Sequence, residues 1–214
     1  MVASDKYTTG PNGEKRLKGV ELSVPIVTGT VAISLGKKAT DYATHSWTVF
    51  VRSPTNENLG SIIKKVVFKL HDSFENPNRE VTMPPFELRE TGWGEFDILI
   101  EIHFRDDANE PPLELLHSLR LGLDIHGNPQ RRPHTYEKYE EVVFWEPTVA
   151  LHNALQGGLG RAPESSVEQY FGTFDPEADY QLVQAGRKRL AKHFAMLKAK
   201  LATLEAEEEV PAPL

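Results

Sequence analysis

Cysteine is missing from the 214 residues altogether. That absence excludes a disulfide framework, a thiolate zinc site and a cysteine nucleophile, and it suits a reducing, intracellular compartment. Long apolar runs are missing too. Nothing approaches the roughly 20 residues that a membrane-spanning helix requires, and the opening "MVASDKYTTGPNGEKRLKG" is too polar for a signal peptide. Positive charge is in deficit: 24 Lys and Arg stand against 31 Asp and Glu, a formal net charge of -7. Binding to nucleic acid through its phosphates needs a concentrated basic surface, so direct sequence-specific DNA binding is not expected, and an acidic body suits a basic partner instead. The scattered histidines lack metal-ligand spacing, so neither metal nor cofactor is expected.

What is present is alternation. "VELSVPIV" puts Val20, Leu22 and Val24 on one face, "HSWTVFVR" does the same with Trp47, Val49 and Val51, and "FDILIEIHF" with Phe96, Ile98, Ile100, Ile102 and Phe104. "IIKKVVFKL" and "KYEEVVFW" read as further strands, and "LELLHSLRL" as a strand that could equally be helical. Turn clusters such as "SPTNENLG", "NPNRE" and "TMPP" separate them, with no long amphipathic helix to supply parallel crossovers. The expected fold is therefore all-β, an antiparallel sandwich. Residues 1–14 carry no periodicity and read as a loose arm, leaving 15–150 for the sandwich. "EPTVALHNAL" reads as a short helix with Pro147 in its first turn, and residues 156–179 as a patternless linker, so 151–179 is taken as short helix and linker. The period then becomes helical over 180–209. Leu190, Phe194, Leu197, Leu201 and Leu204 form the seam of a short coiled coil, with Gly186 shortening its usable length.

Two loops carry the candidate chemistry. "ETGWGEF" sets Trp93 between Gly92 and Gly94 at a turn, and "KLHDSFENP" presents His71, Ser73 and Phe74. Adjacent loops at one end of a sandwich would bring Phe74 and Trp93 together as two ring faces of a slot, with Phe96 beside them. Ser73 and a main-chain N–H near Trp93, freed by the glycines, would donate hydrogen bonds into it. A free lysine ammonium has donors only and would be left unpaired there, whereas an acylated lysine is neutral, planar and offers a carbonyl oxygen. His71 would hold the Ser73 rotamer.

The stretches "KGVELSVPIV", "THSWTVFVR", "VVFKLHDSFENPNREVTMPPFE", "ETGWGEFDILIEIHF" and "VVFWEPT" resemble the YEATS-domain family over roughly residues 15–150. Within it, the "TGWGEF" loop and the C-terminal coil are similar to the small YEATS subunit shared by histone acetyltransferase and variant-histone-exchange remodelling complexes. The resemblance implies an immunoglobulin-like sandwich in the nucleus that reads acetyl- and crotonyl-lysine on histone H3 tails. It implies His71, Ser73, Phe74, Trp93 and Phe96 as the acyl-lysine pocket, with Gly92 to Gly94 holding the acyl carbonyl, and a coil that docks into the larger complex. One position departs: just before "THSW", where the family places a histidine or an aromatic wall, this chain has Ala43.

Other readings of the same residues are available. Trp93 and Phe96 read alone would be core aromatics, and Trp47 is taken as core. His45 is expected to support a loop, and His103 and His117 to be ordinary surface or strand residues. Ser73 with His71 invites a hydrolase, but no "GxSxG" elbow, oxyanion hole or orienting acid accompanies them, so no enzyme is expected. A methyl-lysine cage is the nearer rival, with Asp72, Glu75 and Glu95 as its acids. The third is a scaffold working through its C-terminal helix.

Overall fold

The computed structural model describes residues 6–123, 127–128, 132–172 and 175–208. The chain divides into two units, residues 1–172 and 173–214.

In the first unit the alternating segments become two four-stranded antiparallel sheets. One contains β3 (Glu21–Ser34), β4 (His45–Arg52), β7 (Phe86–Gly92) and β10 (His134–Trp145) in the order β10-β3-β4-β7. The other contains β5 (Ile63–Lys69), β6 (Asn78–Val81), β8 (Asp97–Phe104) and β9 (Leu113–Ser118) in the order β6-β5-β8-β9. The ambiguous "LELLHSLRL" is thus a strand. Period two decides which side chains face inward: Val24, Ile26, Trp47, Val49 and Val51 of one sheet meet Val66, Phe68, Ile98, Ile100 and Ile102 of the other in a single core. The result is the expected immunoglobulin-like sandwich.

Pro25 falls in the part of β3 that pairs only β10, because the β3–β4 register begins at Val27. A missing N–H is tolerated where a ladder has ended. His103 sits on β8 with its Nε2 2.6 Å from Glu101, in keeping with a surface strand position. His117 on β9 is fully buried instead. Its ring contacts Thr28 Oγ1 at 3.3 Å and Thr30 Oγ1 at 3.4 Å, and lies 5.4 Å from the Tyr136 ring. Burial, helped by Lys138 and opposed by Asp97, pushes its pKa down to about 4.

Three expectations about the segments flanking the strands of the first unit change. Within the arm expected over 1–14, β1 (Tyr7–Thr9) pairs with β2 (Lys15–Leu17) as a hairpin, while residues 1–5 lie outside the described residues. Charge rather than apolar period holds it. Arg16 bridges Glu14 at 2.7 Å and Glu110 at 2.9 Å and donates to the carbonyls of Glu146 and Asn109. The short helix α1 (Val149–Gln156) is capped by Thr148, whose Oγ1 accepts from Leu151 N at 3.2 Å, so Pro147 precedes the cap instead of lying in the first turn.

The third change concerns the linker, whose first half is docked. Leu159 and Val167 are buried, and Phe171 covers Phe50 with ring centroids 4.9 Å apart. The Arg52 guanidinium lies 4.3 Å from the Phe171 ring centre and is held by Glu137 at 2.9 Å. Leu159 joins the main core, while Val167 and Phe171 seal a second small cluster on the outer face of the first sheet, with Val27, Val31 and Phe50. A Cβ on Gly29 would come within 2.3 Å of Phe50 Cζ, so glycine is what allows the ring to lie there.

Among its described residues the second unit is one helix, α2 (Pro176–Glu208). Asp175 Oδ1 accepts from the N–H of Glu177 at 3.1 Å and of Ala178 at 3.2 Å, and Pro176 occupies the first helical position. The helix therefore starts four residues before the expected 180; residue 209 lies outside the described residues. Leu190, Phe194, Leu197, Leu201 and Leu204 are all exposed.

Candidate functional site

Three loops meet at one end of the sandwich. The first follows β5: Leu70 N–H donates to Pro77 O at 2.9 Å, closing a loop in which Phe74 N–H turns back onto His71 O at 3.0 Å. Arg79 braces it from β6, donating to the carbonyls of Asn76 and Glu75 while pairing with Glu90 of β7 at 2.8 Å. The second loop joins β7 to β8. Its entry is fixed by Gly92 pairing with His45, and by Thr44 N–H donating to Gly92 O at 3.0 Å. Its exit is fixed by Glu95, whose carboxylate accepts from Leu121 N at 2.8 Å and from Arg120 Nη1 at 2.9 Å. Burial pushes Glu95 upward, but the Leu121 N–H and the Arg120 guanidinium outweigh it and hold the carboxyl below its ordinary range. The third loop, between β3 and β4, contributes Tyr42.

Between these loops lies a cavity of about 430 Å³ lined by Tyr42, His71, Ser73, Phe74, Thr91, Gly92, Trp93, Gly94, Glu95 and Phe96. All seven residues singled out in the sequence line it. Its floor is a ring cluster: Trp47 meets Phe74 and Phe96 edge-on at 5.9 and 6.0 Å, and Phe74 lies 5.6 Å from Phe96. Trp47 is thus core, as expected, and also the support on which two lining rings rest. Trp93 is different, with 65% of its surface exposed. A ring left this open does not contribute to the core, and its apolar face is available to a guest.

The glycines act otherwise than expected. Neither Gly92 nor Gly94 adopts a left-handed φ. A Cβ on Gly92 would stand 3.3 Å from Trp47 Nε1 and 3.7 Å from Phe74 Cζ, so its role is close approach to the ring cluster. A Cβ on Gly94 would meet nothing within 4 Å. Among the described residues, the N–H groups of Trp93 and Gly94 have no acceptor.

Ser73 also differs in one respect. Its backbone N–H donates to His71 Nδ1 at 3.2 Å, which makes that nitrogen an acceptor, and its Oγ lies 2.9 Å from the same atom. The hydroxyl proton therefore points at His71, and the Oγ lone pairs remain for a guest. Ser73 is arranged to accept from an amide N–H, where the sequence suggested that it donates to a carbonyl. The free donors are those of the Trp93 loop.

Tyr42 and Thr91 are lining residues that the sequence does not single out, and Glu95, weighed there only as an acid of the rival methyl-lysine cage, lines the cavity too. Tyr42 is 83% exposed and stands one position before Ala43, so an aromatic is present at this wall although Ala43 itself supplies none. An exposed aromatic in a turn was the available signal. His45 supports the loop as expected, its Nδ1 2.9 Å from Thr44 Oγ1. Burial lowers its pKa against a smaller opposing pull from Glu95, and its Nε2, like Trp47 Nε1, is buried with no partner among the described residues.

The sequence profile of the YEATS family matches residues 42–123. Among curated proteins, transcription initiation factor TFIID subunit 14b of Arabidopsis thaliana is 36% identical, the alignment covering 95% of this chain and 87% of that one. The protein AF-9 homolog of Saccharomyces cerevisiae is also 36% identical, covering 94% and 98% respectively. Among solved structures, the YEATS domain of Yaf9 bound to H3K27ac is similar with a TM-score of 0.59 at 43% identity, over 66% of this chain and 98% of that one. The same domain recognizing an H3K122suc peptide gives 0.57 at 44% identity, with the same coverage.

Proposed function

The chain belongs to the YEATS family, and from that premise we propose that it is a noncatalytic reader of acylated lysine on histone H3, acetyl or crotonyl, acting in the nucleus. The observation that carries the reading is the cavity itself. It presents an exposed Trp93 and a half-buried Phe74 as lining rings, one hydroxyl oxygen that accepts and main-chain groups that donate. A secondary amide has one N–H and one carbonyl, and matches that set: its N–H donates to Ser73 Oγ and its oxygen accepts from the N–H of Trp93 or Gly94. The flat acyl group then lies against the rings, where stacking contributes about 0.5–1.5 kcal/mol beyond area burial. His71, Ser73, Phe74, Gly92, Trp93, Gly94 and Phe96 are the proposed contacts, with Tyr42 added as a wall.

The Ser73–His71 bond does not make a hydrolase. The imidazole nitrogen that takes the hydroxyl proton also takes the Ser73 N–H, and no carboxylate bonds the other ring nitrogen among the described residues. The methyl-lysine reading loses its acids. Glu95 lines the cavity but is already bonded to Arg120 and the Leu121 N–H, and neither Asp72 nor Glu75 lines it. The exposed seam of α2 supports docking of that helix onto subunits of histone acetyltransferase and histone-exchange remodelling complexes.

Calorimetric titration of the chain with matched acetyl, crotonyl, trimethyl and unmodified H3 peptides tests the reading. Micromolar acyl-peptide binding, roughly 8 kcal/mol, is expected, lost in Trp93→Ala. Trimethyl binding above acyl, or affinity retained in both Trp93→Ala and Phe74→Ala, refutes it.

A further inference from the structure

At the end of β7 away from the cavity, the serine pair of the docked segment 159–172 is fastened by one carboxylate. Ser165 Oγ donates to Glu87 Oε1, and Ser166 donates twice to Oε2, from Oγ at 2.8 Å and from its N–H at 3.3 Å. The rest of the segment is held by Asn58 N–H to Gly160 O at 2.9 Å, by Ala162 N–H to Asn56 O at 2.9 Å, by Ser61 Oγ to Leu159 O at 3.3 Å, by Asn56 Nδ2 to the Glu168 carboxylate at 3.2 Å, by Gly172 N–H to the Glu137 carboxylate at 3.4 Å, and by the Leu159, Val167 and Phe171 anchors. Ser166 is exposed, and Glu164 and Glu168 flank the serine pair.

We propose that Ser166 is a phosphorylation site, and that a phosphate there releases residues 159–172 from the sandwich. A carboxylate only accepts, so it holds the segment through the serine protons. Phosphoryl transfer from ATP forms the Ser166 Oγ–P bond, breaks the bond between the β,γ-bridging oxygen and the γ-phosphorus, and releases ADP. The hydroxyl proton passes to the base of a serine kinase, and an acidic flank suits a kinase with a basic substrate cleft. The fastening donor becomes an ester oxygen without a proton, under a group of charge about -1.5 to -2 facing Glu87. Like charges at hydrogen-bond distance repel, and the flanking glutamates add to the repulsion. Because the hydroxyl is engaged when docked, the kinase acts on the transiently opened segment and the phosphate prevents its return. The cavity adjoins the opposite end of β7, so it is left unchanged.

The test uses the full chain and no histone ligand, which keeps its failure separate from that of the acyl-lysine reading. Incubation with ATP, magnesium and an acidophilic serine kinase, followed by peptide mapping, is expected to place phosphate on Ser166 and none on Ser166→Ala; no phosphate at Ser166 overturns the site. Hydrogen exchange on the chain carrying phosphoserine at 166 is expected to quicken at least ten-fold at Ala162, Val167 and Tyr170, with β3 and β10 unchanged. Unaltered exchange overturns the release. In Glu87→Gln, whose amide can donate to phosphate, the phosphorylated chain is expected to keep most of its protection; equal release with and without Glu87 overturns the charge mechanism.

Discussion

Trp93 and Phe74 line the same cavity but differ in what their removal costs. Trp93 is exposed, so Trp93→Ala is expected to change stability by less than about 0.5 kcal/mol while removing acyl-peptide binding. Phe74 rests on Trp47 and Phe96, so Phe74→Ala is expected to cost on the order of 1–3 kcal/mol of stability as well. Denaturation midpoints beside titration of the two variants separate pocket from packing. Ser73→Ala tests the acceptor assignment: a secondary-amide guest loses a partner for its N–H, and affinity should fall about ten-fold, roughly 1.4 kcal/mol, while the His71→Gln variant should fall less if its role is only to orient the hydroxyl. His117 makes a pH prediction. Its pKa is about 4 in the fold against 6.5 in the open chain. Above 6.5 both states are neutral and stability is complete; as pH falls from 6.5 toward 4 the unfolded chain takes up a proton that the fold refuses. Stability lost through this group approaches about 3 kcal/mol at the low end. Urea denaturation between pH 7 and 4 should show a shallower decline in His117→Gln.

At the scale of elements, the strands were legible because period two is imposed by the pleat whatever the partner strand. The two candidate loops were legible because their residue types fit no strand: a tryptophan between glycines, and a histidine, serine and phenylalanine in a run of turn formers. Tyr42 was not, since which third loop reaches the cavity depends on β4 lying beside β7. The hairpin of β1 and β2 and the docked segment were missed for a related reason: ion pairs and irregularly spaced anchors leave no period to read. In α2, Gly186 sits in open space within the helix, where a Cβ meets nothing within 4 Å. Gly186→Ala is expected to stabilise the helix by about 1 kcal/mol, visible as slower hydrogen exchange over the surrounding turns without effect on peptide binding.

For the molecule as a whole, the reader unit and the helix divide the work proposed for them. A chain ending at residue 150 lacks Leu151, Leu159 and Val167, all buried, and uncovers Phe50 by losing Phe171. Each such side chain contributes about 1.5–3 kcal/mol when fully buried, so this truncation should be markedly less stable than one ending at 172, whose peptide affinity should equal that of the full chain. Equal unfolding midpoints for the two truncations would show that the docked segment adds nothing. Weak binding by a single side-chain pocket is compatible with function in an assembly, because linked sites gain avidity without any new contact.

Alternation along the chain determined by itself that this protein is a sandwich with a helix after it, and residue chemistry in two loops determined where to look for the site. Tertiary structure alone decided that Tyr42 joins those loops, that the Ser73 proton faces His71, that His117 is buried, and that residues 159–172 lie against the sheet. The reason is physical: a period records which face of one element is apolar, whereas the partner of a polar atom is set by elements distant in sequence.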